Sequence, residues 1–205
     1  DYNNEQRRFL VDILHQFKLC FYMNDRCRFI VPDLLDTKEP LAVTKPIRDA
    51  ENRIGFVYEY DYLPGSVMPH IMVDTHKILA EKWRTGCVMQ SDGCQALVTS
   101  YKNRVSITVT GAHKKKREFM AVVRNVLDVV NKDLSEPPRQ LIPLPGLDDA
   151  YAEYEVLLTR ERKGKSHYIY HEDKPTEKAF EISKLLDGIP TKEEVTNADL
   201  MRKIE

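Results

Sequence analysis

No apolar run in this chain approaches the ~20 residues needed to cross a bilayer, so nothing in the 205 residues reads as a membrane span. Charge of one sign is not in excess either. With 31 basic and 32 acidic residues the net charge is -1, which removes any global pull toward nucleic acid or anionic lipid. Metal-ligand spacing is missing. The cysteines Cys20 and Cys27, and again Cys87 and Cys94, are separated by six residues, not by the Cys-x2-Cys or Cys-x4-Cys spacing of structural zinc. They read as reduced, partly buried thiols of a cytoplasmic protein. His167 and His171 share a strand face but stand too far apart to hold one ion. Gly164-Lys165-Ser166 resembles the end of a P-loop, yet Thr159 stands where that loop needs glycine. No Ser/His/Asp or Cys/His arrangement stands out, so the expectation is a chain with no catalytic residue, cofactor or metal of its own. Asp1-Tyr2-Asn3-Asn4 holds neither methionine nor a signal-like core, which reads as a piece of a longer polypeptide.

What is present is enough for a core: 42% hydrophobic residues against 31% charged. Phe9, Leu10, Ile13, Leu14 and Phe17 recur at helical spacing between Glu5 and Phe21, and Arg26 to Val31 reads as a strand stopped by Pro32. Helix then strand is compatible with the end of a winged-helix unit. The stretch from Asp36 to Asn52, with Pro40 and Pro46, reads as a linker. Phe56, Tyr58, Tyr60 and Tyr62 then alternate with Val57, Glu59, Asp61 and Leu63 as a strand, which Pro64-Gly65 breaks. Ser66 and Pro69 suit a helix start, and Ile71, Met72, Thr75, Leu79 and Trp83 make one helical stripe. Asp92-Gly93 is a hairpin signal, and Lys102-Asn103 turns into a strand where Val105, Ile107 and Val109 face inward. Phe119, Val122, Val123, Val126, Leu127 and Val130 form the amphipathic helix that covers this sheet.

The expected class is α+β: a β-α-β-β-β-α layer with one covered face, preceded by a winged-helix-like remnant and followed by a short mixed extension. The expected units are residues 1–52, 53–135 and 136–205. The last holds the breakers Pro137, Pro138, Pro143, Pro145 and Gly146, a helix around Tyr151–Leu158 and an extended piece near His167–Tyr170. Beyond these come a helix near Glu177–Asp187 stopped by Gly188 and Pro190, and a capping box from Thr191 to Glu194 opening a last short helix.

His113-Lys114-Lys115-Lys116-Arg117 is the sharpest charge run, placed where a helix dipole disfavours cations. It reads first as a solvated helix start, with a patch for an acidic partner as the sharper option. The tyrosines Tyr58, Tyr60 and Tyr62 are interleaved with Glu59 and Asp61, which fits aromatic anchors of a core or protein interface better than a base-stacking platform.

Several landmarks in order point to one family. Tyr60-Asp61-Tyr62-Leu63-Pro64, the segment Pro69–Lys82 and Trp83-Arg84-Thr85-Gly86 are the first three. Ala96-Leu97-Val98, Ile107 to Gly111 and Phe119–Val130 follow, and the set resembles the COR ("C-terminal of Roc") domain of Roco proteins. The members of that family include bacterial leucine-rich-repeat GTPases and the leucine-rich repeat kinases. Gly55–Leu134 is similar to the COR-B half, and Glu5–Leu35 to the closing winged-helix part of COR-A. Pro143–Leu158 resembles the Pro-rich run and Tyr-Glu-x-Leu-Leu segment that follow COR in prokaryotic members. His70 and Asp74 depart from the positive charge common along the family's helix.

The resemblance implies a non-catalytic regulatory and dimerisation module. It would couple the nucleotide state of a Roc GTPase domain in the same polypeptide to formation of a homodimer, with no nucleic-acid or membrane partner. It places Tyr62 where the family packs COR against Roc, and puts Tyr60, Tyr62, Pro64, Trp83 and Arg84 in an interface with Roc or with a second copy. The alternatives are a winged-helix nucleic-acid binder, which needs a basic recognition helix, and a small enzyme with a spatially assembled site.

Overall fold

The computed structural model describes residues 3–23, 28–164, 168–171 and 174–190. Helix α1 (Asn4–Gln16) opens on a reciprocal cap: the Gln6 N–H donates to the Asn3 side chain, and the Asn3 N–H donates to the Gln6 side chain. Its expected apolar stripe has no fully buried member, and Phe9 and Phe17 are exposed. A hairpin of β1 (Phe21–Met23) and β2 (Arg28–Ile30) follows.

The stretch expected to be a linker holds helix α2 (Leu41–Asp49), with Pro40 at its cap and Pro46 inside it. Two prolines in seven residues conceal the helix, but Val43, Thr44 and Ile47 share a face and turn inward. Glu39 clamps its start, accepting from Arg48 Nη2 at 3.0 Å and from the Thr44 hydroxyl.

The rest is organised by one sheet. Strands β3 (Ile54–Glu59), β4 (Leu79–Trp83), β5 (Gly86–Ser91), β6 (Cys94–Tyr101), β7 (Arg104–Thr110), β8 (Arg139–Pro143) and β9 (Tyr151–Glu153) pair in the order β4-β5-β6-β7-β3-β8-β9. Every pairing is antiparallel. The α+β class holds, with three strands more than the four expected: β4, β8 and β9. Helix α3 (Val67–Asp74) ends well before Lys82, a 3-10 turn at His76–Ile78 follows, and Leu79 to Trp83 form strand β4. Leu79, Ala80, Glu81 and Lys82 are good helix formers, but pairing from Leu79↔Met89 to Trp83↔Gly86 overrides that propensity.

One sheet face carries the main core. Phe56, Tyr58, Cys87, Met89, Ala96, Val98, Val105, Ile107 and Val109 meet Ile71 and Met72 of α3. Phe119, Val123 and Leu127 of α4 (His113–Asn131) complete the contact. The opposite face, expected bare, is partly covered: Ile47 of α2 packs on Trp83, Val88 and Leu97. Nor does the sheet stop at residue 135, because β8 pairs with β3 and β9 with β8. Then come α5 (Tyr154–Lys163), the hairpin β10 (Tyr168–His171) and β11 (Lys174–Glu181), and α6 (Ile182–Asp187). The helix expected from Glu177 is therefore strand up to Glu181 and helix only beyond it. The capping box at Thr191–Glu194 lies outside the described residues. Among the described residues no helix is long and apolar enough to cross a membrane.

Candidate interaction surface

Antiparallel order decides which loops share an end of the sheet. The register pairs Trp83 with Gly86, Tyr101 with Arg104, and Glu59 with both Arg104 and Arg139. The turn Arg84-Thr85, the turn Lys102-Asn103 and the segment leaving β3 at Tyr60 therefore emerge side by side. Main-chain bonds tie them together. The Tyr60 N–H donates to the Asn103 carbonyl at 2.8 Å, and Asn103 Nδ2 returns a 2.8 Å bond to the Tyr60 carbonyl. The Ser100 N–H donates to Thr85 and the Arg84 N–H to Asp36, both at 2.8 Å.

The residues expected in an interface divide by burial. Tyr60 is 2% exposed and its hydroxyl donates to Asn131 Oδ1 at 3.0 Å. Burial pushes that hydroxyl up to about 12, against the pull of the Asn131 bond. Tyr58 does the same one turn earlier on α4, donating to Asp128 Oδ1 at 2.7 Å, and burial with the Asp128 charge raises its pKa. Trp83 is 1% exposed, with its indole laid over Gly86. A side chain on Gly86 would overlap that ring and come within 2.8 Å of the Val98 carbonyl, which explains glycine in Trp-Arg-Thr-Gly. Tyr60 and Trp83 are thus buried packing residues within this chain. Cys87 belongs to the same core, its thiol pushed up to about 12 by burial.

Tyr62 is different. The strand expectation placed it on the same face as Phe56, Tyr58 and Tyr60, but β3 ends at Glu59 and Tyr62 stands 80% exposed. Pro64 is half-buried, and its carbonyl accepts from the Val67 N–H at 3.2 Å as α3 begins. Arg84 is exposed at the other end of the row. Between them lies Tyr101, 73% exposed, with Lys102 Nζ 5.3 Å from its ring centroid. The motifs gave no sign of Tyr101, since its exposure depends on where β6 ends.

Beside the row, the other charges satisfy one another across the strands. Glu59 accepts from Arg104 Nε at 2.8 Å and from Arg139 Nη1 at 3.2 Å, while Arg139 Nη2 reaches Glu153 at 3.1 Å. Arg104 also bonds Asp149 at 3.2 Å and lies over the Tyr151 ring at 4.9 Å. Exposed aromatic and cationic side chains therefore share this end of the sheet.

No curated protein matches the chain by sequence. The family model described as "C-terminal of Roc, COR-B domain" matches residues 51–188, which takes in the whole sheet, helices α3 to α6 and all three members of the row. The chain therefore belongs to the COR-B family, whose domains stand beside a Roc GTPase domain in Roco proteins.

Proposed function

We propose that this chain is a non-catalytic regulatory module that couples the nucleotide state of its Roc domain to dimerisation of the polypeptide in the cytoplasm. The observation that carries the reading is Tyr62: a large aromatic, 80% exposed, two residues beyond Tyr60, which is buried and hydrogen-bonded. Ordering it on a partner costs little, because Tyr60 is bonded to Asn131 and Asn103 on either side. In this reading Tyr62 enters the GTPase domain, Tyr60 and Trp83 hold the sheet end that presents it, and Pro64 sets the bend. Arg84 adds a peripheral charge. The departure at Asp74 has a use of its own: Asp74 pairs with Lys18 and so ties the end of α1 to α3.

The test is Tyr62→Ala in the longer polypeptide. We expect Roc–COR affinity to fall about 30-fold, the scale of an aromatic anchor, and GTP turnover and nucleotide-dependent sedimentation to change with it. If affinity, turnover and sedimentation all stay at wild-type values, the reading is wrong.

A further inference from the structure

We infer that the surface taking the GTPase domain extends from Tyr62 to Tyr101, with Lys102 and Arg84 gripping carboxylates around a pocket on that domain. The inference rests on the proposed function and extends it to residues no motif marks. Sheet order is the first ground. In the order β4-β5-β6-β7-β3 the β6–β7 turn lies midway between the Arg84 turn and the Tyr62 segment, so a partner touching both must cover Tyr101.

Exposure is the second ground. Tyr101 closes β6 at 73% exposed, and Tyr62 nearby is 80% exposed, so two large aromatics share one end of the sheet. Neither closes a core, and paired aromatics at a rigid surface are the composition of interface centres.

Charge is the third. Arg104 and Arg139 are already held by Glu59, Asp149 and Glu153. By contrast, Lys102 and Arg84 have no carboxylate within ion-pair distance among the described residues. Asp61 is exposed beside Tyr62, and Asp36, whose carbonyl accepts from the Arg84 N–H, is exposed beside Arg84, so the positive charge is concentrated at Lys102 in the middle of the row. The fitting partner face is an apolar recess rimmed by Asp and Glu. The turn is preorganised for it, since the two bonds between Asn103 and Tyr60 lock its backbone.

The experiment compares Tyr62→Ala, Tyr101→Ala, Tyr101→Phe and Lys102→Glu in the longer polypeptide, reading affinity for the Roc domain and GTP turnover. Tyr101→Ala is expected to weaken the affinity about tenfold or more, and Tyr101→Phe to keep most of it. Lys102→Glu should weaken it more at low than at high salt. If Tyr62→Ala weakens binding while Tyr101→Ala and Lys102→Glu do not, this inference is overturned and the proposed function stands. If none of the four matters, both fall. Loss of self-association with Roc affinity intact would assign the row to a second copy and overturn the inference as well. Should Tyr101→Ala fail to fold, the ring-keeping variant and Lys102→Glu carry the decision.

Discussion

Lys116, the fourth residue of α4, has no exposed surface, although it belongs to a run of five basic residues. Its ammonium donates to the main-chain carbonyls of Asn52 and, at 3.2 Å, Ile189, joining the approach to β3, the start of α4 and the end of α6. Arg117 is held as firmly. Glu161 takes both Nη atoms at 2.8 Å and Asp187 accepts at 3.0 Å, which raises the guanidinium pKa further. Of that run, Lys114 and Lys115 are exposed, so a solvated basic patch describes only part of it. Gly188 closes around the lysine with φ +78° and ψ -171°, a region open essentially to glycine alone. A Cβ there would also lie 2.7 Å from Lys116 Nζ and 2.9 Å from Ile54 Cγ2. Gly188→Ala is therefore expected to cost about 1–3 kcal/mol from backbone strain alone, read as a lower denaturant midpoint at unchanged slope. A midpoint equal to wild type would contradict this account of the clasp.

Among the elements, those with an unbroken period were legible from the sequence. Val105, Ile107 and Val109 alternate because β7 has one packed face, and α4 repeats at helical spacing because one stripe meets the sheet. Asp92-Gly93 marked its hairpin through the positive φ both residues adopt. Strand β4 and helix α2 were hidden for opposite reasons: the strand is written in helix formers, and the helix has one proline at its cap and another inside it. In both cases long-range packing decides, through the Trp83–Ile47–Leu97 cluster. The candidate surface was legible to the same degree. Tyr62 and Arg84 came from motifs and are exposed, whereas burial of Tyr60 and Trp83 depends on α4 and α2, which lie far away in sequence. Element docking also has a pH signature. The hydrogen bonds from Arg117 hold the Glu161 carboxyl below its usual 4.5, tying α5 to α4. A depressed carboxyl stabilises the fold above its unfolded value, and the contribution is lost as pH falls through the folded value. Both side chains remain partly exposed, so the effect is about 0.2–1 kcal/mol. Denaturation of Glu161→Gln between about pH 6 and about pH 3 should show a shallower acid decline than wild type. Parallel declines would mean the pair contributes nothing.

Taken whole, the molecule is a seven-stranded plate whose faces and ends differ in purpose. One face is sealed by α3, α4 and α6, the other partly by α2, and the N-terminal helix is joined to α3 through Lys18–Asp74 and the His15–His76 ring contact at 5.3 Å. The far end is closed by the Lys116 clasp, and the near end carries Tyr62, Tyr101, Lys102 and Arg84 on locked turns. In the proposed function the Roc domain docks on that near end. Amide hydrogen exchange of this chain, compared with and without the Roc domain of the same polypeptide, tests it most directly. Docking there is expected to slow exchange at residues 61–66, 84–86 and 101–104, with the amides around Lys116 and Gly188 unchanged. Protection confined to other regions, or none at all, would contradict it.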